Sequence, residues 1–134
     1  MTTEQQLREL QRASDYVLRR EGFKKIHAEI SFVGPGEIRR LNRQYRKKDA
    51  ITDVLSFREF DAHIPFPNDA VIGEIVLCRS YIRSQASEFG VAYAQELLRM
   101  TIHGTLHLLD YDHETKRDAA IMLPLQEKYI EHFL

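Results

Sequence analysis

The chain has 134 residues, 43% hydrophobic and 29% charged, the size and make-up of one soluble globular domain, which excludes an intrinsically disordered chain. Its formal net charge of −1, with six histidines counted as neutral, excludes a globally basic nucleic-acid binder, so affinity for nucleic acid has to come from a local patch. One cysteine, Cys78, excludes an internal disulfide. No apolar run approaches the ~20 residues of a membrane span, and Glu4, Glu9 and Asp15 argue against a targeting segment, so a cytoplasmic location is expected.

A first helix is expected over about residues 3–20. Thr3 and Gln6 have capping-box spacing, Leu7, Leu10, Val17 and Leu18 recur at helical period, and Gly22 ends it. Ile26, Ala28, Ile30 and Phe32 alternate with His27, Glu29 and Ser31, the pattern of a half-buried strand. Gly34-Pro35-Gly36 is a turn, and Pro35 suits the first position of a second helix with Ile38, Leu41 and Tyr45 on its inner face. Val54–Phe57 reads as a short strand. Residues 58–70, with Pro65, Pro67 and Asn68-Asp69, read as an irregular loop long enough to cover a site. Val71–Cys78 is nearly all apolar, as expected of a strand buried on both faces, in which Glu74 needs a partner. Ser80 is expected to cap a third helix ending at Gly90, and a fourth runs from about Ala92 to Leu109. Thr115 caps a fifth, which Pro124 should kink or split. The order predicts an α/β (α+β) sandwich: a small three- to four-stranded sheet with about five flanking helices, in one domain over 1–134.

The segment Thr101–Glu114 reads T-I-H-G-T-L-H-L-L-D-Y-D-H-E. His103 and His107 are four apart on the fourth helix, which places them on one face with Cβ atoms ~6 Å apart. A turn after Leu109 returns the chain so that His113 supplies a third nitrogen. Three neutral imidazoles bind one metal ion and leave a fourth position for water or substrate, a catalytic pattern, whereas structural sites are usually closed by four protein ligands. A lone histidine in an amphipathic helix is ordinarily packed or solvated, but half of the six here fall between 103 and 113, at a spacing with a geometric use. H-x3-H-x5-H is also the spacing of metzincin proteases, but Gly104 stands where they carry the general-base Glu. Without that carboxylate a peptidase lacks its proton acceptor. A glycine inside a helix costs ~1 kcal/mol relative to alanine, so Gly104 signals close approach of the backbone to a neighbouring element or to substrate.

The stretch His103–His113, H-G-T-L-H-L-L-D-Y-D-H, resembles the H-G-x-L-H-L-x-G-Y-D-H motif of the YbeY family of metal-dependent endoribonucleases, with Asp110 in place of Gly. Residues 41–57, L-N-R-Q-Y-R-K-K-D-A-I-T-D-V-L-S-F, are similar to the family's L-N-x-x-Y-R-x-K-D-x-P-T-D-V-L-S-F, with Ile51 in place of Pro. Gly73-Glu74-Ile75-Val76 is similar to its G-D/E-I-x-I strand. The resemblance implies a mixed sheet with flanking helices and one divalent metal ion, Zn2+ or Ni2+, on His103, His107 and His113. It places Arg46 at the family's functionally important arginine. The function it implies is a single-strand-specific endoribonuclease in rRNA processing, with RNA and ribosomal subunits as partners and no membrane. Two alternatives stay open: a non-catalytic ribosome-assembly or RNA-binding factor with a structural metal, and a metallohydrolase or peptidase of another substrate class. Asp110 is among the few non-glycine residues that tolerate a left-handed conformation, so the turn is expected to survive. The chain begins directly with a helix where many relatives have a strand, so the sheet is expected to be smaller.

Residues 39–48 hold Arg39, Arg40, Arg43, Arg46, Lys47 and Lys48 and no acid. On a helix, Arg39, Arg40, Arg43, Arg46 and Lys47 cover about a third of the circumference. Such a face is usually only solvated, but Arg39, Arg43, Arg46 and Lys47 are candidates for following a phosphate backbone. Arg46, nearest the apolar face, is able to turn inward and hold a phosphate by two hydrogen bonds. Asp112 is a candidate for orienting a ligand or acting as base. Ser56 has no visible partners for a nucleophile, Cys78 reads as apolar filler, and His27, His63 and His132 carry no assignment.

Overall fold

The computed structural model describes residues 1–134. α1 (Thr3–Arg20) is closed by a capping box one residue earlier than the spacing suggested: Thr2 Oγ1 accepts from Gln5 N, and Gln5 Oε1 accepts from Thr2 N. β1 (Ile26–Phe32) follows. α2 (Pro35–Arg46) starts with Pro35 in its first turn and stops at Lys47, whose φ of 60° is left-handed. β2 (Val54–Arg58) and β3 (Ala70–Leu77) lead into α3 (Arg79–Phe89), which ends at Gly90 with φ 69°. Its N-cap is Cys78, not Ser80, and Ser80 lies inside the first turn. α4 (Tyr93–Leu108) and α5 (Lys116–Phe133) complete the chain. Thr115 caps α5 as expected, but Pro124 does not split it: the helix runs unbroken through that residue.

The sheet has three strands in the order β1-β3-β2, with β1 parallel and β2 antiparallel to β3. A register shift pairs His27 with Val71 and Ala28 with Gly73, leaving Ile72 as the extra residue of a bulge. The bulge changes which residues face the core, so that both Ile72 and Ile75 are fully buried. β3 is buried on both faces only toward its C-terminal end, where Ile75, Val76, Leu77 and the adjoining Cys78 are all buried. Glu74 is exposed on the open face and needs no buried partner, because α2 covers only the end of that face, through Ile38, Leu55 and Cys78.

The other face carries the main core, where Leu10 and Leu18 of α1, Ile82 of α3, and Leu97, Met100 and Leu108 of α4 meet Ile26, Ile75 and Leu77. The second side of α4 packs through Ile102 and Leu106 onto Met122, Tyr129 and Ile130 of α5. α4 is therefore buried on two sides, which explains its apolar character around much of its circumference. Gly104 makes this possible. A Cβ there would lie 2.9 Å from Ile75 Cγ2 and 3.0 Å from Ser56 Oγ, so the helix backbone rests directly on the sheet.

One inner-face assignment shifts. Tyr45 is 55% exposed and meets Phe57 edge-on, while Asn42 takes the buried position. Asn42 Nδ2 donates to Ala50 O at 2.9 Å and pins the segment that returns to β2. The loop after β2 packs Phe60, Ala62 and Phe66 onto the main core and, beyond Arg58, does not line the groove described below.

Candidate metal centre

α4 brings His103 and His107 one turn apart near its C-terminal end. The helix closes in a Schellman arrangement: Tyr111 N donates to Leu106 O and Asp110 N to His107 O, with Asp110 at φ 72°. This is the position where glycine avoids Cβ strain, and aspartate adopts the conformation as expected. The reversal carries His113 back against the helix. The ring centroids of His113 lie 5.1 Å from His103 and 5.2 Å from His107, and the ligand atoms of all three residues lie within 4.8 Å of one another.

The Nε2 atoms of His103 and His107 are 3.0 Å apart. Two ~2.0 Å bonds at a tetrahedral angle require roughly 3.3 Å, so the pair fits one ion with a small adjustment. The three histidines can hold a metal. Burial holds the pKa of His103 below the usual histidine range, opposed by its hydrogen bond to Gln126. Burial, and then the neighbouring His103 and His113, push His107 down to about 4. Both side chains are thus neutral at pH 7, the form that ligates metal. His103 Nδ1 meets Gln126 Oε1 at 2.6 Å.

The histidines open into a groove of about 870 Å3. Arg46 and Lys48 line it from the end of α2, and Asp53, Ser56 and Arg58 from β2 and the segment before it. Arg46 donates to Ser56 O, and its guanidinium lies 5.5 Å from the centre of the Phe57 ring. Of the other basic residues proposed to follow a phosphate backbone, Arg39, Arg43 and Lys47 do not line the groove. Arg39 is bound to Asp49 through two hydrogen bonds of 2.9 and 3.2 Å, Arg43 approaches the same carboxylate at 3.9 Å, and Lys47 is the cap of α2. Asp49 lies one residue beyond the acid-free run and neutralises part of it.

Asp112 lines the groove, and its carboxylate accepts from His113 N at 2.7 Å, ordering the turn that carries this histidine. Ser56 Oγ donates to Gly104 O at 3.3 Å, a tie between β2 and α4. Asp61, His63 and Asp110 also converge, but Asp110 is engaged by Arg58.

Three groove or contact residues were missed. Asp53 lies in a quoted motif, and its carboxylate accepts from Val54 N at 2.7 Å. Arg58 directly follows that motif. Gln126 had no sequence signal, since one polar residue in an amphipathic helix is unremarkable.

The sequence matches, over residues 1–134, the protein family described as Endoribonuclease YbeY. A protein of Persephonella marina named Endoribonuclease YbeY is 36% identical over 121 residues, covering 90% of this chain and 78% of that protein. One of the same name from Exiguobacterium sibiricum is 35% identical, covering 99% of this chain and 89% of its own. Among solved structures, the solution structure of TM1509 from Thermotoga maritima has a TM-score of 0.69 and 32% identity, covering 98% of this chain and 83% of its own.

Proposed function

Because the chain belongs to the YbeY endoribonuclease family, we propose that it is a metal-dependent endoribonuclease that cleaves single-stranded RNA in the maturation of ribosomal RNA. The observation that carries this reading is the convergence of His103, His107 and His113 on a groove that Arg46 also lines. In this reading residues 1–134 are one metallohydrolase domain acting in the cytoplasm on rRNA and ribosomal subunits. No helix is long and apolar enough to cross a membrane.

The three histidines hold one divalent ion, zinc or nickel. Such an ion, when bound, supplies Lewis acidity at the scissile phosphodiester. Arg46 commits one donor to Ser56 O, which orients the guanidinium and leaves its other N–H groups for two parallel hydrogen bonds to phosphate oxygens. Lys48 adds positive charge along the same groove, and Arg58 does so by exchange from Asp110. Arg39, Arg43 and Lys47 extend contact to the flanking phosphates, Arg39 and Arg43 by exchange from Asp49.

The test is cleavage of a single-stranded rRNA fragment by untagged protein beside His107→Ala prepared identically. Cleavage by the wild type that chelator stops and the variant lacks supports the reading. Absence of cleavage by wild-type protein that retains metal overturns it in favour of a ribosome-assembly factor. The 3′ end of the product separates attack by water from attack by the ribose 2′-hydroxyl, which leaves a cyclic phosphate.

A further inference from the structure

We propose that Gln126 is a positioning residue for the metal centre: it selects the tautomer of His103, and Glu127 and Arg99 fix the orientation of Gln126. The inference rests on the reading of His103, His107 and His113 as ligands.

Gln126 is 5% exposed, and its amide has one donor end and one acceptor end. One end lies 3.2 Å from Glu127 Oε2. An ionised carboxylate only accepts, so this end is the NH2 group. The carbonyl oxygen then faces His103 Nδ1 at 2.6 Å, and since it too only accepts, Nδ1 carries the proton. A neutral imidazole has a single N–H, so the lone pair lies on Nε2, the atom 3.0 Å from His107 Nε2 and on the side shared by the cluster. A reversed amide would set two acceptors against each other at Glu127 and move the proton onto the ligating nitrogen. An imidazole in water itself prefers the proton on Nε2, so the surroundings have to impose the useful tautomer.

Glu127 is held in turn. Arg99 donates to it through Nε at 2.9 Å and through Nη2 at 3.0 Å. Arg99 Nη1 also donates to Glu96 Oε1 at 2.6 Å, and Glu96 Oε2 accepts from Gln85 Nε2 at 2.7 Å. Glu96 is 2% exposed, a costly place for a carboxylate unless it is paired and hydrogen-bonded. Its partners satisfy it, and together they anchor a path from α3 through α4 and α5 to the metal centre. The hydrogen bond from Arg99 holds the Glu127 carboxyl below its usual range, so it stays ionised at neutral pH.

The experiment reads the His103 tautomer by long-range 1H–15N correlation on metal-stripped protein at pH 8, and zinc affinity by chelator competition. Wild type and Gln126→Glu, which keeps an acceptor for His103 Nδ1 while losing the donor to Glu127, are both expected to show Nδ1–H. Gln126→Leu is expected to shift to Nε2–H and lose roughly 10- to 100-fold in affinity. Glu127→Ala, at an exposed position, is expected to mix the tautomers, and keeps the claim decidable if Gln126→Leu fails to fold. Retention of Nδ1–H and full affinity in folded Gln126→Leu, or in Glu127→Ala where the former does not fold, overturns the proposal. The tautomer is read without metal, so it decides the role of Gln126 even if wild-type protein binds no zinc, an outcome that would overturn the ligand reading instead.

Discussion

Replacing Gly104 by alanine sets two effects of opposite sign against each other. By helix propensity alone, alanine inside α4 gains ~1 kcal/mol. The new methyl, however, lies 2.9 Å from Ile75 Cγ2 and 3.0 Å from Ser56 Oγ, well inside the ~3.5–4.0 Å of an ordinary contact. Ile75 is fully buried in the central strand and, being β-branched, is restricted at χ1. Ser56 Oγ is tied to Gly104 O. The clash is relieved by moving the helix off the sheet, and overpacking of this kind costs about 1–3 kcal/mol. The packing term wins. Gly104→Ala is expected to lose a net ~1 kcal/mol, a fall in Tm of roughly 3–5 °C at this chain length. Urea unfolding of metal-free protein measures it, with zinc affinity as a second readout because His103 and His107 ride on the displaced helix. A variant as stable as wild type, or more stable, refutes the close-approach argument.

Asp110→Gly removes the left-handed strain at φ 72° but also the partly exposed ion pair with Arg58, so stability is expected to change by less than about 1 kcal/mol. Freed Arg58 should tighten RNA binding with a steeper salt dependence, and weaker binding would contradict its place in the groove. Arg46→Ala should depress RNA cleavage far more than Arg39→Ala, since Arg39 is spent on Asp49; equal losses in kcat/KM would count against a special role for Arg46. Tyr111 donates to Glu21 Oε1 at 2.6 Å, and that hydrogen bond first, with burial second, pushes its hydroxyl up to about 12 from 10.0. A raised folded-state pKa adds stability that is complete below pH ~10 and lost as pH climbs toward 12. The difference in urea midpoint between wild type and Tyr111→Phe should therefore shrink between pH 10 and 12, and a difference constant with pH would refute the assignment.

Features encoded by near neighbours were legible in the sequence by itself: the alternation of Ile26–Phe32, the Pro35 helix start, the Gly90 stop, the one-turn spacing of His103 and His107, and the turn that Asp110 closes. Each depends on local backbone geometry or on a short-range period, so a few consecutive residues determine it. The tertiary structure alone decided features that depend on which distant surfaces meet. The bulge at Ile72 and the partial cover given by α2 leave Glu74 in solvent despite its apolar neighbours. The tie from Asn42 to Ala50 buries Asn42 while Tyr45 stays exposed. Arg58 and Asp110 pair across 52 positions, and Gln126 reaches His103 across 23. A single polar side chain gives no sign of its partner until packing brings the two helices together, which is why the ligand spacing could be read from the chain but the group that orients a ligand could not.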